Sequence, residues 1–219
     1  MITYKNITPQ AFIELDALPK VKEPKTLRNQ HLVYAINNLI KQDGIVMEFG
    51  VWKAKSINCI ADALPDEKIY GFDSFEGLPE DWYKKEEHKT GEEKNKHIKG
   101  WFALDNLPPV RNNVELVKGF YDVSLVPWLG KNNVESIKLL HIDCDLYSST
   151  AFVLDTLNKF IVPGTIIIFD ELYPFIGEEK YPLWHEGEWK ALVEWMKKYN
   201  KTIQPMTRTN GYQASIKVV

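Results

Sequence analysis

Two stretches of this chain run apolar for the length of a strand and then stop at a pair of acids. Leu139-Leu-His-Ile142 runs into Asp143-Cys144-Asp145, and Ile166-Ile-Ile-Phe169 runs into Asp170-Glu171. An unbroken apolar run of this length reads as a parallel strand buried on both faces, so the acids sit at carboxyl ends of strands. In open α/β sheets ligands bind at that edge. Asp143, Asp145, Asp170 and Glu171 are therefore expected to converge on one crevice. Carboxylates gathered this way repel, and a divalent cation relieves the repulsion. An all-oxygen donor set suits Mg²⁺, Mn²⁺ or Ca²⁺ better than zinc. Any one of these acids alone reads equally well as a cap for the next helix, but capping needs a single acid per helix and both ends carry a pair.

The remaining punctuation gives an alternating order. A helical pattern from Thr26 through His31, Ile36 and Ile40 stops at Asp43-Gly44. Ile45 to Phe49 reads as the first core strand, turning at Gly50 into a helix with Ile57, Ile60 and Leu64 on one face. Ile69 to Phe72 is a second strand, ending in Asp73-Ser74, and the crossover between the two is expected to be right-handed. Val114 to Val117 supplies a third strand, and the segment around Pro127 a short helix or turn. The two acid-tipped strands follow, joined by a helix carrying Phe152, Val153, Leu157 and Phe160 that ends at Pro163-Gly164. A second amphipathic helix runs from about Gly187 to Tyr199. Ile203 to Val219 reads as a hairpin turning at Thr209-Asn210-Gly211. The first two dozen residues, broken by Pro9, Pro19 and Pro24, read as irregular. Glu80 to Lys99, almost wholly charged around Trp82 and Tyr83, reads as a solvated loop or a lid. The expectation is a Rossmann-like α/β fold: a mostly parallel seven-stranded sheet with helices on both faces and a C-terminal antiparallel hairpin.

A chain of 219 residues suits one such domain, with an N-terminal segment and helix over 1–44 and a catalytic core over 45–219. Net charge is −3, from 27 basic and 30 acidic side chains, which gives no footprint for nucleic acid or an anionic membrane. Small soluble substrates are the expected partners, and a homo-oligomer is left open. Neither a leader nor a window of about 20 apolar residues is present, so the reading is cytoplasmic. Cys59 and Cys144 lack any metal-type spacing and read as reduced and structural.

The first turn, Glu48-Phe-Gly50-Val-Trp52, has one glycine where a dinucleotide site has three, which disfavours NAD. A ligand with a ribose and no pyrophosphate fits better. Asp73, just past the second strand, is placed to receive two ribose hydroxyls, or else to set the turn before Ser74.

Taken together, Glu48-Phe-Gly-Val-Trp52, Gly71-Phe-Asp-Ser-Phe-Glu-Gly-Leu-Pro79 with Trp82, Gly119-Phe-Tyr-Asp122, Leu140-His-Ile-Asp-Cys-Asp-Leu-Tyr-Ser-Ser-Thr150, Pro163-Gly164 and Phe169-Asp-Glu171 resemble the macrocin O-methyltransferase (TylF-type) family. Its members are class I, S-adenosylmethionine-dependent, Mg²⁺-requiring sugar O-methyltransferases. The resemblance spans about residues 45 to 173. It implies that Glu48, Gly50 and Ser56 surround the methionine end of S-adenosylmethionine, Asp73 and Ser74 its ribose, and Gly119 and Phe120 its adenine. By the same resemblance Asp143 would adjoin both cofactor and metal. Asp143, Asp170 and Glu171 match the family's metal ligands for Mg²⁺ or another hard divalent cation, and Asp145 its general base. The pattern departs at Ala54-Lys55, where the family usually carries glycines, and in a shorter amino-terminal part.

The chemistry is coherent with that resemblance. A sugar hydroxyl is too weak an acid to ionise at neutral pH, so metal coordination and a neighbouring carboxylate would together deliver its oxygen to the sulfonium methyl. Two other readings compete. Asp143-Cys-Asp145 is also the Asp-x-Asp pattern of a metal-dependent nucleotide-sugar glycosyltransferase, and a non-catalytic cofactor-binding module would share the fold. His141 reads as a core histidine. His185, in the loop before the last helix, is not fixed by the sequence.

Overall fold

The computed structural model describes residues 1–18, 27–83 and 96–219, with the side chains of residues 27, 28 and 96 excepted. Five strands run parallel: β2 (Ile45–Phe49), β3 (Ile69–Asp73), β6 (Val114–Lys118), β7 (Ile137–Ile142) and β8 (Ile166–Phe169). β9 (Thr202–Arg208) and β10 (Ala214–Val218) form the terminal hairpin, and β10 is antiparallel to both β9 and β8. The sheet has eight strands rather than the expected seven, because β1 (Ile2–Thr3) adds an antiparallel edge to β9. Its order is β1-β9-β10-β8-β7-β2-β3-β6. From β2 the chain moves outward through β3 to β6, then returns to the other side of β2 for β7 and β8. That reversal opens a crevice at the carboxyl ends of β2 and β7.

Every residue of β7 and β8 is buried, as an apolar run in the middle of a parallel sheet demands. Their side chains alternate between two cores. Leu139, Ile166 and Ile168 pack under α2 (Leu27–Asn38) and α3 (Lys55–Ala63), with Leu32, Ile36, Ile57 and Ile60. Leu140, Ile142, Ile167 and Phe169 pack on the opposite face against α4 (Tyr121–Lys131), α5 (Tyr147–Leu157) and α6 (Glu188–Tyr199). Helices thus cover both faces.

Two local expectations need correction. The segment around Pro127, expected as a short helix or turn, forms the eleven-residue helix α4 with the proline inside it. Pro127 and Val123 are both exposed, so the carbonyl that loses its N–H partner faces water and the helix continues past the proline. The amino-terminal segment is also more ordered than its prolines suggest. The short α1 (Gln10–Ile13) buries Phe12, whose ring meets Trp189 edge-on at 5.8 Å. Pro19 and Pro24 lie outside the described residues. So does most of the charged Glu80–Lys99 stretch; its flanks pair as β4 (Trp82–Tyr83) and β5 (Lys96–His97), and the lid reading falls on residues 84–95, outside the description. Among the described residues no helix is long and apolar enough to cross a membrane.

Candidate active site

At the carboxyl edge of the sheet lies a cavity of about 700 Å³, the size of a small-molecule site. Gly50, Trp52, Asp73 and Ser74 line it from the ends of β2 and β3, and Asp143, Cys144, Asp145 and Glu171 from the ends of β7 and β8. Phe120 and Tyr121 come from the start of α4, Ser148 and Phe152 from α5. Trp82, His97 and Phe102 add an aromatic wall, with His97 and Phe102 ring centres 5.6 Å apart.

Gly50 determines how closely the two halves meet. Its φ is +92°, and a Cβ there would lie 1.9 Å from the carbonyl oxygen of Asp143. The Asp143 N–H in turn donates to Phe49 O at 2.8 Å, so the tip of β7 is pressed against the turn after β2. Beyond Gly50 the backbone enters the left-handed region at Trp52 (φ +45°) and Ala54 (φ +58°). Ala54 is one of the two positions where the family that the sequence resembles usually carries glycine. The backbone keeps a conformation that glycine adopts freely and alanine does not. Asp73 supports it: Oδ2 accepts the N–H groups of Val51 and Trp52, both at 2.8 Å, and Oδ1 accepts that of Phe75 at 2.7 Å. The turn-setting reading of Asp73 is thus realised, and the residue also lines the cavity.

Six non-glycine residues among those described have positive φ, and Trp52, Phe102 and Asp145 of these line the cavity. Such strain costs on the order of 1–3 kcal/mol each and persists where the surroundings over-determine it.

Of the residues expected around a cofactor, Gly50, Asp73, Ser74, Phe120 and Asp143 line the cavity, while Glu48, Ser56 and Gly119 do not. Gly119 instead donates its N–H to Asp73 O at 2.9 Å, tying the ends of β3 and β6 together. Glu48 lies beneath the cavity floor, fully buried. Its Oε1 accepts from Ser56 Oγ at 3.0 Å and its Oε2 from His141 Nδ1 at 2.9 Å. Glu48 and His141 are register partners on β2 and β7, which is why residues so far apart in sequence meet. Burial alone would strip the His141 proton, yet Asp170 and Glu48 on either side raise its pKa to about 10, with Asp143 adding to the effect. His141 is therefore a core histidine, as expected, with Glu48 on its Nδ1 and Asp170 Oδ1 3.8 Å from its Nε2. Replacing Glu48 by Gln keeps the shape and uncharges the bond. Unfolding by urea is expected to show a loss of about 1.5–3 kcal/mol, and an unchanged midpoint would contradict the pairing.

The four strand-end acids come together in two overlapping groups. Ligand-type oxygens of Asp143, Asp145 and Glu171 lie within 4.8 Å of one another, and so do donor atoms of His141, Asp143 and Asp170. Asp143 is common to both. Asp170 is 2% exposed, does not line the cavity, and its Oδ1 accepts from Gln213 Nε2. The capping reading of Asp145 is not realised, since Leu146 occupies the N-cap of α5 and Asp145 sits before it with φ +61°.

Sequence reasoning passed over Gln213 and Glu188. Glu188 is fully buried at the start of α6, and its Oε2 accepts the Glu171 N–H at 2.9 Å. Burial pushes its carboxyl well above the usual range; the Glu171 N–H opposes this, and the charges of Asp170, Asp143 and Asp145 add to it. A signal was present: Glu188 lies on the same helical stripe as Ala191, Leu192, Trp195 and Met196, where an acid is out of place. His185 is exposed and does not line the cavity. Both cysteines are free, burial raising Cys59 to about 11 and Cys144 well above its ordinary value.

Comparison with known proteins adds a family and a fold. The macrocin O-methyltransferase (TylF) family matches residues 25–178. A 28% identity over 159 residues links the chain to the 8-demethyl-8-(2,3-dimethoxy-alpha-L-rhamnosyl)-tetracenomycin-C 4'-O-methyltransferase of Streptomyces olivaceus. That alignment takes in 66% of this chain and 59% of the relative, so the chain spans under two thirds of that protein's length. Among solved structures, the O-methyltransferase NovP is similar with a TM-score of 0.60 at 19% identity, over 89% of this chain and 82% of NovP. The calicheamicin methyltransferase CalS11 follows at 0.59 and 20%, over 92% and 95%. At these identities the likeness is one of fold.

Proposed function

The chain belongs to the macrocin O-methyltransferase (TylF) family, and from that premise we propose that it transfers the methyl group of S-adenosylmethionine to a hydroxyl of a sugar or glycoside, assisted by a divalent cation. The observation that carries the proposal is the placing of two unlike walls on one cavity. Asp73 and Ser74 stand on one side, and the mutually close oxygens of Asp143, Asp145 and Glu171 on the other. The name of the Streptomyces olivaceus relative puts its acceptor on an α-L-rhamnosyl group, which supports a sugar hydroxyl here. The glycosyltransferase reading of Asp143-Cys-Asp145 is left without support by the family match.

The donor set suits a hard cation. Three carboxylates within 4.8 Å of one another are unfavourable without a positive charge, and all the donors are oxygen. Asp143 and Glu171 would hold it, with Asp170 behind them. Such a cation, when bound, lowers the pKa of a coordinated hydroxyl. In the reaction Asp145 takes the hydroxyl proton as the oxygen bonds to the methyl carbon and the carbon–sulfur bond breaks, leaving S-adenosylhomocysteine and the methyl ether. Asp73 and Ser74 receive the ribose hydroxyls, and the glycine at position 50 lets the backbone come close to the methionine end. The aromatic wall excludes water and faces the sugar.

Incubation with S-adenosylmethionine, Mg²⁺ and rhamnosyl glycosides is expected to yield S-adenosylhomocysteine. Removing divalent ions with a chelator should lower turnover at least about tenfold, and Mg²⁺ should restore it. A rate indifferent to the chelator would refute the cation, and no thermal stabilisation by S-adenosylmethionine would refute the donor.

A further inference from the structure

The two acids at the end of β8 are held in different ways. The Asp170 N–H donates to Ile142 O at 2.9 Å and is thus the last rung of the β7–β8 ladder. One residue later the ladder has ended, and the acceptor for the Glu171 N–H is the Glu188 carboxylate, from a helix seventeen residues further along. Glu188 is 0% exposed, and its Oε1 has no hydrogen-bond partner among the described residues. An acid in the first turn of a helix favours the helix dipole whether or not it is buried, so the dipole does not explain why this one leaves water. The start of α6 is also seated tightly. A Cβ on Gly187 would lie 2.6 Å from the hydroxyl of Tyr181, itself 1% exposed.

We infer that Glu188 is a positioning residue: by accepting the Glu171 N–H it fixes the backbone just past β8, so that the Glu171 carboxylate faces Asp143 and Asp145. The inference deepens the proposed function and rests on it for its cation arm alone. The test compares the full chain with E188Q, whose amide oxygen replaces the acceptor, and E188A, which lacks one. Two properties are read: hydrogen exchange at the Glu171 amide, and Mn²⁺ affinity by titration without cofactor or acceptor. E188A is expected to weaken Mn²⁺ binding by about 10–100-fold and to speed exchange at Glu171 about tenfold or more, while E188Q stays within about threefold on both. Should E188A fail to fold, E188M fills the space without an acceptor and takes its place.

A variant lacking the acceptor that keeps its Glu171 protection overturns the inference. So does one that loses protection while Mn²⁺ affinity is unchanged, since Glu188 would then serve stability alone. If the unmodified chain takes up no Mn²⁺, it is the cation reading that fails, and exchange at Glu171 by itself decides for or against Glu188.

Discussion

Asp145→Asn is expected to lower kcat by about 10²–10⁴-fold, the usual contribution of a positioned general base, while S-adenosylmethionine binding stays nearly intact. The substitution is a clean one for a structural reason. Asp145 has φ +61°, and asparagine tolerates the left-handed region about as well as aspartate, so the backbone before α5 has no cause to move. Leu146 is the N-cap of α5, so helix capping is not disturbed either. Asparagine keeps the size and polarity of the side chain and removes its negative charge together with the ability to take a proton. Turnover is measured as S-adenosylhomocysteine formed, alongside thermal stabilisation by S-adenosylmethionine. A variant turning over at the unmodified rate would remove Asp145 from the chemistry. One that lost cofactor binding as well would place it in binding rather than in proton transfer.

Gly50→Ala is expected to be the most damaging small substitution at the site, costing about 3–5 kcal/mol of stability from the combined backbone strain and overpacking. The new Cβ would stand 1.9 Å from Asp143 O, a backbone atom that cannot swing aside, at a φ of +92° that alanine resists. Relief requires the ends of β2 and β7 to part, which displaces Asp143 from the cavity wall it shares with Gly50. Cofactor binding should therefore fall together with stability. Gly100→Ala is the matched control: its φ of +84° carries similar strain, but a Cβ there meets nothing within 4 Å. It should cost only about 1–2 kcal/mol. Urea midpoints of the two variants separate conformational strain from the clash, and equal midpoints would mean that the contact with Asp143 is unimportant.

The family resemblance was carried by short, contiguous motifs, and the comparisons bear it out because such motifs are local. The same is true of the alternation of strands and helices along the chain. Leu139 to Ile142, His141 apart, and Ile166 to Phe169 are apolar throughout, and they end where the acids begin. Parallel strands buried on both sides, with carboxylates at one edge, follow from hydrophobicity and chain direction alone. The edge strand Ile2–Thr3 could not be read, since two residues have no periodicity.

The identities of the partners were another matter. Glu48 faces His141 because β2 and β7 pair in one particular register, and a slip of β7 by one residue would leave the two side chains on opposite faces of the sheet. Gln213 reaches Asp170 only because β10 inserts beside β8. Glu188 reaches Glu171 only because α6 packs its start against the end of that strand. Apolar runs and their terminal acids are properties of neighbouring residues, so the chain itself determined that a carboxylate-lined crevice would form. Which acid faces the cavity, which is buried against a histidine and which holds another's backbone depend on registers between segments tens of residues apart, and only the folded sheet decides those.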